Sequence, residues 1–140
     1  MKKYIFSLLI ASLVACEDNS DPIFQVESEL RPYVDVFYAE AAERGVTIER
    51  NLVARLADYE VQGIAKTDKR GGQRHLLVDR AVFNSMKAAG AEHEIEALVV
   101  YQLAGSFLGR PLQEIVDLEN IERGIFPEYD RESTFDALLQ

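Results

Sequence analysis

Twelve consecutive residues, Tyr4 to Ala15 (YIFSLLIASLVA), form an apolar run that follows Lys2 and Lys3 and stops at Cys16. That run decides where a fold can begin. Crossing a bilayer takes about 20 apolar residues, so twelve are too few. A short positive start followed by an apolar centre is the layout of a secretory signal, which is removed from the mature chain. Residues 1–15 are therefore set aside. The remaining 125 residues, 16–140, are enough for one compact domain with its own core. Cys16 is the only cysteine, so no disulfide within the chain can staple that domain. A lone cysteine in a secreted chain calls for a chemical role.

Leu13-Val14-Ala15-Cys16 resembles the lipobox of bacterial lipoproteins. The resemblance implies acylation of the Cys16 thiol by palmitate-type chains and cleavage just before it. It also implies a lipid anchor in the outer membrane, facing the periplasm or the outside. An ordinary secretion signal ending near a cysteine is the alternative. Glu17 to Asp21 (EDNSD) carries no apolar pattern and reads as an acidic, disordered tether. It resembles the surface-export signals of Bacteroidota lipoproteins, and a plain spacer accounts for it equally well. Without Lys2 and Lys3 the chain keeps 13 Lys and Arg against 24 Asp and Glu, a net charge of −11. Such a surface repels phosphate backbones, which excludes nucleic acid as a partner. The lipid supplies the membrane affinity, at roughly 0.8 kcal/mol per buried methylene.

The domain is predicted to begin at residue 23, after Pro22. Ser28 reads as a helix N-cap, with Pro32 tolerated in the first turn. Leu30, Val34, Phe37 and Ala41 then recur at helical spacing along one apolar face, and Gly45 ends the helix. From Val46 the pattern becomes extended: Leu52 to Val61 is strand-like, and Gly63 to Thr67 is a second short strand. Lys69-Arg70-Gly71-Gly72 is a turn, His75 to Asp79 a compact strand. A short helix is expected over Arg80 to Ala89, ending at Gly90. A long helix, Ala91 to Leu108, should bury Ile95, Leu98, Val99 and Leu103. Glu92, Glu94 and Glu96 read as its solvated, dipole-favoured start. Gly109-Arg110-Pro111 ends it. Residues 112–127 read as mixed loop. Asp130 caps a last helix carrying Phe135, Leu138 and Leu139. This order of elements predicts an α+β domain.

Glu94 to Arg110 (EIEALVVYQLAGSFLGR) resembles the active-site helix of small zincin-type, metallopeptidase-like lipoproteins of the Bacteroidota, whose helix runs E-x-E-x-L-V-F-H-E-L-G-H-x-L-L-x-R. Glu43-Arg44-Gly45-Val46 is similar to the exit of their first helix. Gly71-Gly72 with Val78-Asp79-Arg80 and Phe83 resembles their sheet. Tyr129 to Glu132 with Phe135 to Leu138 resembles their terminal helix. The resemblance covers most of 28–139 and implies a zincin-like α+β fold. In that fold a small antiparallel or mixed sheet packs on two long helices plus a short C-terminal helix.

The residues depart from that family at the chemistry. In H-E-x-x-H two histidines one turn apart hold zinc, and the glutamate acts as general base on bound water. The matching positions are Tyr101, Gln102 and Gly105. Tyr101 is a poor ligand, Gln102 cannot take a proton, and Gly105 has no side chain. The family's third ligand falls near Pro111 and Leu112, neither of which binds metal. Its later Ser-Ile-Met turn answers to Gly124-Ile125-Phe126. Three lost ligands and a lost base predict no metal, no cofactor and no catalytic residue. Gln102 remains as a candidate ligand contact or as a bond to the sheet, and Gly105 as a place where another segment packs close, filling the former site. His75 and His93 are the only histidines and read as surface residues, since Ala97 breaks any shifted His-Glu motif.

Other chemistry is thin. Ser106 sits inside a helix, and Gly105-Ser106-Phe107-Leu108-Gly109 is not a nucleophile elbow. Lys66 to Gly72 lacks the Gly-Lys-Ser/Thr of a P-loop. Lys66, Lys69, Arg70 and Arg74 form a basic patch, either a solvated turn or a contact for an acidic partner. The sequence therefore predicts a membrane-anchored lipoprotein with a degenerate, non-catalytic metallopeptidase-like domain that binds a protein, peptide or glycan, or serves as a scaffold. The alternatives are an active zinc hydrolase with unrecognised ligands and a plain envelope docking protein.

Overall fold

A computed structural model describes residues 23–109 and 129–139. Cys16, the tether, Arg110, Pro111, Leu112 and residues 124–126 lie outside them. The described elements are four strands and four helices, an α+β arrangement. Strand β1 (Gln25–Val26) leads to helix α1 (Arg31–Glu43) and strand β2 (Leu52–Ala57). Strands β3 (Ala65–Arg70) and β4 (Gln73–Asp79) follow, then helices α2 (Arg80–Ala88), α3 (Glu92–Leu108) and α4 (Arg131–Leu138).

The sheet runs β1-β2-β4-β3 and is mixed. The β1–β2 and β2–β4 pairs are parallel, and β3 lies antiparallel to β4 at the edge. Side chains alternate across a strand. Leu52, Ala54 and Leu56 of β2 therefore share one face with Leu76 and Val78 of β4 and Ala65 of β3, and all six are buried. This face and the helices enclose one core that includes Phe37, Phe83, Leu98, Leu103 and Phe135. A smaller cluster on the opposite face, Ala57, Val61 and Leu77, is closed by the β2–β3 loop.

Leu30, Val34, Phe37 and Ala41 are fully buried, as their spacing predicts. Ser28 is not the cap: Leu30 is, with no side-chain bond, and Pro32 stands in the first turn, where a missing N–H costs nothing. Gly45, at φ +76°, closes α1 with Gly45 N–H on Ala42 O and Val46 N–H on Ala41 O, a Schellman pair. The strand bounds also shift. β2 stops at Ala57 because the chain must then hop over the end of β4 to reach β3. In that hop the Asp79 carboxylate accepts from Val61 N at 3.1 Å, and Asp79 N–H donates to Ile64 O at 2.8 Å. β3 is displaced to Ala65–Arg70 and runs right up to the glycines. β1 carried no recognisable signal at two residues. No described helix is long and apolar enough to cross a membrane.

Candidate functional site

Helix α3 carries the positions singled out by sequence and sits at the centre of the molecule. It packs on α1, β3, α2 and β4. Nine of its 17 residues are buried. It is apolar nearly all round, as a helix enclosed on several sides must be.

Tyr101 is buried, 3% exposed. Its ring meets that of Tyr129 edge-on at 6.0 Å, and burial raises its hydroxyl pKa, a rise partly offset by a hydrogen bond with Thr134 of α4. Gln102 and Gly105 are half-buried. Two grooves of about 760 and 640 Å³ flank α2. The first is lined by Ile64, Met86 and Glu94, the second by Tyr59, Arg80 and Asn84, and Tyr101, Gln102 and Gly105 border neither. Tyr101 is thus a packed aromatic side chain that lines neither groove.

The expected solvated start of α3 needs correction. Glu92 is exposed and Glu94 half-buried, but Glu96 is buried and fully engaged. Arg131 of α4 donates to it twice, Nε at 2.8 Å and Nη2 at 2.7 Å, and the Tyr129 hydroxyl donates at 2.6 Å. Burial alone would raise the Glu96 carboxyl. The Arg131 guanidinium and the Tyr129 hydroxyl outweigh it and hold the pKa below its ordinary value. Burial and the neighbouring carboxylate push the Tyr129 hydroxyl far up. His93 is exposed, yet its Nε2 lies 2.8 Å from Tyr129 O. Sequence spacing could not find this cluster, because its two halves lie 35 residues apart. The one visible signal was a third glutamate on the apolar side of α3, next to Ile95.

α4 is held at its other end too. Arg44 bonds Glu40 at 2.8 Å, Asp136 at 2.9 Å and Glu132 O at 3.2 Å, and lies over the Phe135 ring. Asp130 caps α4 as expected, accepting from Ser133 N–H at 2.9 Å. His75 is half-buried on the sheet face away from the helices, beside Asp68 and Val53, so the two histidines are not brought together. Ser106 lies within α3, its carbonyl accepting from Arg74 at 3.3 Å. Among the described residues no three His, Cys, Asp or Glu groups could hold a metal ion.

The basic patch also divides. Lys66, Lys69 and Arg70 are exposed. Arg74 turns inward, its side chain only 11% exposed, paired with Glu49 and stacked over Phe107.

Fold and site define a small α+β domain whose central helix packs on α1, α2, β3 and β4. Comparison with family models, curated proteins and solved structures gave no match.

Proposed function

We propose that this chain is a lipid-anchored envelope protein whose domain is a non-catalytic form of the zincin-like plan, serving as a binding or scaffold module. The observation that carries the reading is Tyr101. In the resembling helix this position would aim an imidazole at zinc. Here a buried tyrosine spans the gap between α3 and α4, with Tyr129 and Thr134 against it. A catalytic zinc needs about three protein ligands and an open position. Tyr101, Gln102 and Gly105 offer neither a strong ligand nor a base. Acylation of Cys16 explains the only cysteine of the sequence, and it leaves the domain free to act by contact alone.

The test is the metal content and N-terminal mass of the chain purified from membranes. The expected result is no tightly held zinc by elemental mass spectrometry, together with a diacylated or triacylated Cys16. Stoichiometric zinc that survives dialysis would overturn the non-catalytic reading and favour an active hydrolase. An unmodified Cys16, or membrane retention unchanged by Cys16→Ser, would overturn the anchor.

A further inference from the structure

We infer that the groove between α2 and the start of α3 is a peptide-docking site. Its occupant is a partner segment that carries apolar side chains beside a lysine or arginine. The inference rests on the binding-module reading and gives that module a surface and a partner chemistry.

The groove holds about 760 Å³, inside the range of roughly 300–1,000 Å³ over which ligand sites form. Val82 and Met86 line it from α2, Ile64 from the residue before β3, and Ala89 and Ala91 from the α2–α3 turn. Ser85 and Glu94 are its polar side chains. Apolar walls with a few placed polar groups are the general form of a binding site. Backbone strain points to the same place. Ile64 holds φ +73°. A β-branched residue there is a true outlier, and such outliers gather at ligand sites. Its N–H donates to Val61 O at 2.9 Å and its carbonyl accepts from Asp79 N–H at 2.8 Å, so the strained backbone is clamped. Ser85 and Ala89 leave the groove open to solvent, which suits an extended chain lying across it more than an enclosed small molecule.

Glu94 sets the charge of the occupant. It is half-buried, and its carboxylate has no hydrogen bond or ion pair among the described residues. Two residues on, Glu96 is fully partnered by Arg131 and Tyr129. The cations nearby are turned elsewhere. Arg80 is held by Glu27, Glu29 and Asp58. Lys87 lies over the ring of Phe83, which faces the core. Neither of them lines the groove. Lys66 stands on the sheet face opposite Ala65 and the helices. At the same end of α3, Glu92 is exposed and adds negative charge, while His93 turns to Tyr129 O. A lysine or arginine flanked by apolar residues would therefore satisfy the carboxylate and the walls together. The chain as a whole carries a net charge of −9, so a basic segment is also drawn toward it from a distance.

The test titrates the full-length lipidated protein, held in phosphatidylcholine nanodiscs, into a labelled peptide and reads fluorescence anisotropy against empty discs. The probe is acetyl-Ala-Leu-Lys-Leu-Ala-amide with an uncharged fluorophore. One control peptide has glutamate for the lysine, and a second has serine for both leucines. The expected result is saturable binding of the lysine peptide and of neither control. Glu94→Gln should weaken it about ten-fold, the loss of one charge-assisted bond. Ser85→Lys, which sets a cation on the exposed wall, should weaken it at least as much. Glu60 is an exposed acid outside this groove, and Glu60→Gln should change binding by less than about two-fold. Thermal midpoints equal to the parent's show that the variants fold. No saturable binding overturns the docking site, as does equal binding of the glutamate peptide or equal weakening by Glu60→Gln and Glu94→Gln. Dimers that Ser85→Lys dissolves would assign the groove to a second copy and also overturn the peptide reading. The zinc and lipid measurements are untouched by any of these outcomes, so the anchored, non-catalytic reading stands or falls separately.

Discussion

Replacing Arg131 by alanine should destabilise the domain by about 2 kcal/mol, and Glu96 is the reason. The substitution removes donors at 2.8 and 2.7 Å and leaves a carboxylate whose side chain is 12% exposed with Tyr129 as its remaining described partner. Breaking a fully buried ion pair costs about 3–5 kcal/mol because one charge stays buried alone. Arg131, however, is 51% exposed on its side chain, so water already shares the guanidinium and can reach the vacated space. Discounting for that screening brings the cost to about 2 kcal/mol. Urea midpoints at neutral pH would measure it. A double-mutant cycle with Glu96→Gln should show the double variant costing at least about 1 kcal/mol less than the two single costs together, since each change removes the same contact. Additive costs, or an Arg131→Ala midpoint indistinguishable from the parent, would refute a stabilising pair and reduce the contact to a surface ornament.

The same carboxylate sets an acid limit. Its native pKa lies below the ordinary value of 4.5, so the unfolded chain takes up the proton first. The Glu96 contribution is fully present above about pH 4.5 and is lost as pH falls through the lower native value. Glu96→Gln should flatten the acid side of a stability profile over that window. In the β3–β4 turn, Gly71 holds φ +61° while Gly72 does not require a left-handed backbone, and a Cβ at either meets nothing within 4 Å. Gly71→Ala should therefore cost about 1–2 kcal/mol from backbone strain alone, while Gly72→Ala is close to neutral in thermal unfolding. Ile64 is a β-branched residue at φ +73°. Ile64→Gly should cost less than about 1 kcal/mol, because relief of some 1–2 kcal/mol of strain offsets the lost packing. A loss above 3 kcal/mol would show the strain to be illusory. Tyr101→Phe should cost about 1 kcal/mol for its bond with Thr134, measured by the same denaturation.

Periodicity carried the helices well. The four-three-four spacing of Leu30, Val34, Phe37 and Ala41 maps onto four side chains with no exposure, because a helix face and its sequence period are one geometric fact. Gly45 and Gly90 were equally legible. Both hold φ near +75°, and only glycine takes that value without strain. Legibility failed where a residue's role is set by something distant. Ser28 has the chemistry of a cap, yet the turn from β1 places Leu30 at the helix start. Arg74 sits in a basic stretch, yet its place on the core face of β4 turns it under the sheet to Phe107. Glu96 lay among three acids that looked alike, and its helical phase set it toward α4. In each case the local propensity was real and a tertiary contact overrode it.

Glu96 does not stand alone at its boundary. Glu96, Tyr101, Tyr129 and Arg131 all lie where α4 meets α3, and Arg44 binds α4 from the other side. A helix of eight residues is too short to hold itself together in water. α4 is therefore ordered by what it touches, and two of its contacts are charged clasps around the single ring of Phe135, which is fully buried. A metal ligand at 101 in place of tyrosine would take from α3 the side chain on which Tyr129 and Thr134 rest. Closure of α4 over α3 thus rests on Glu96, Tyr101, Tyr129 and Arg131 on one side and on Arg44 on the other, and loss of either clasp should loosen the same short helix.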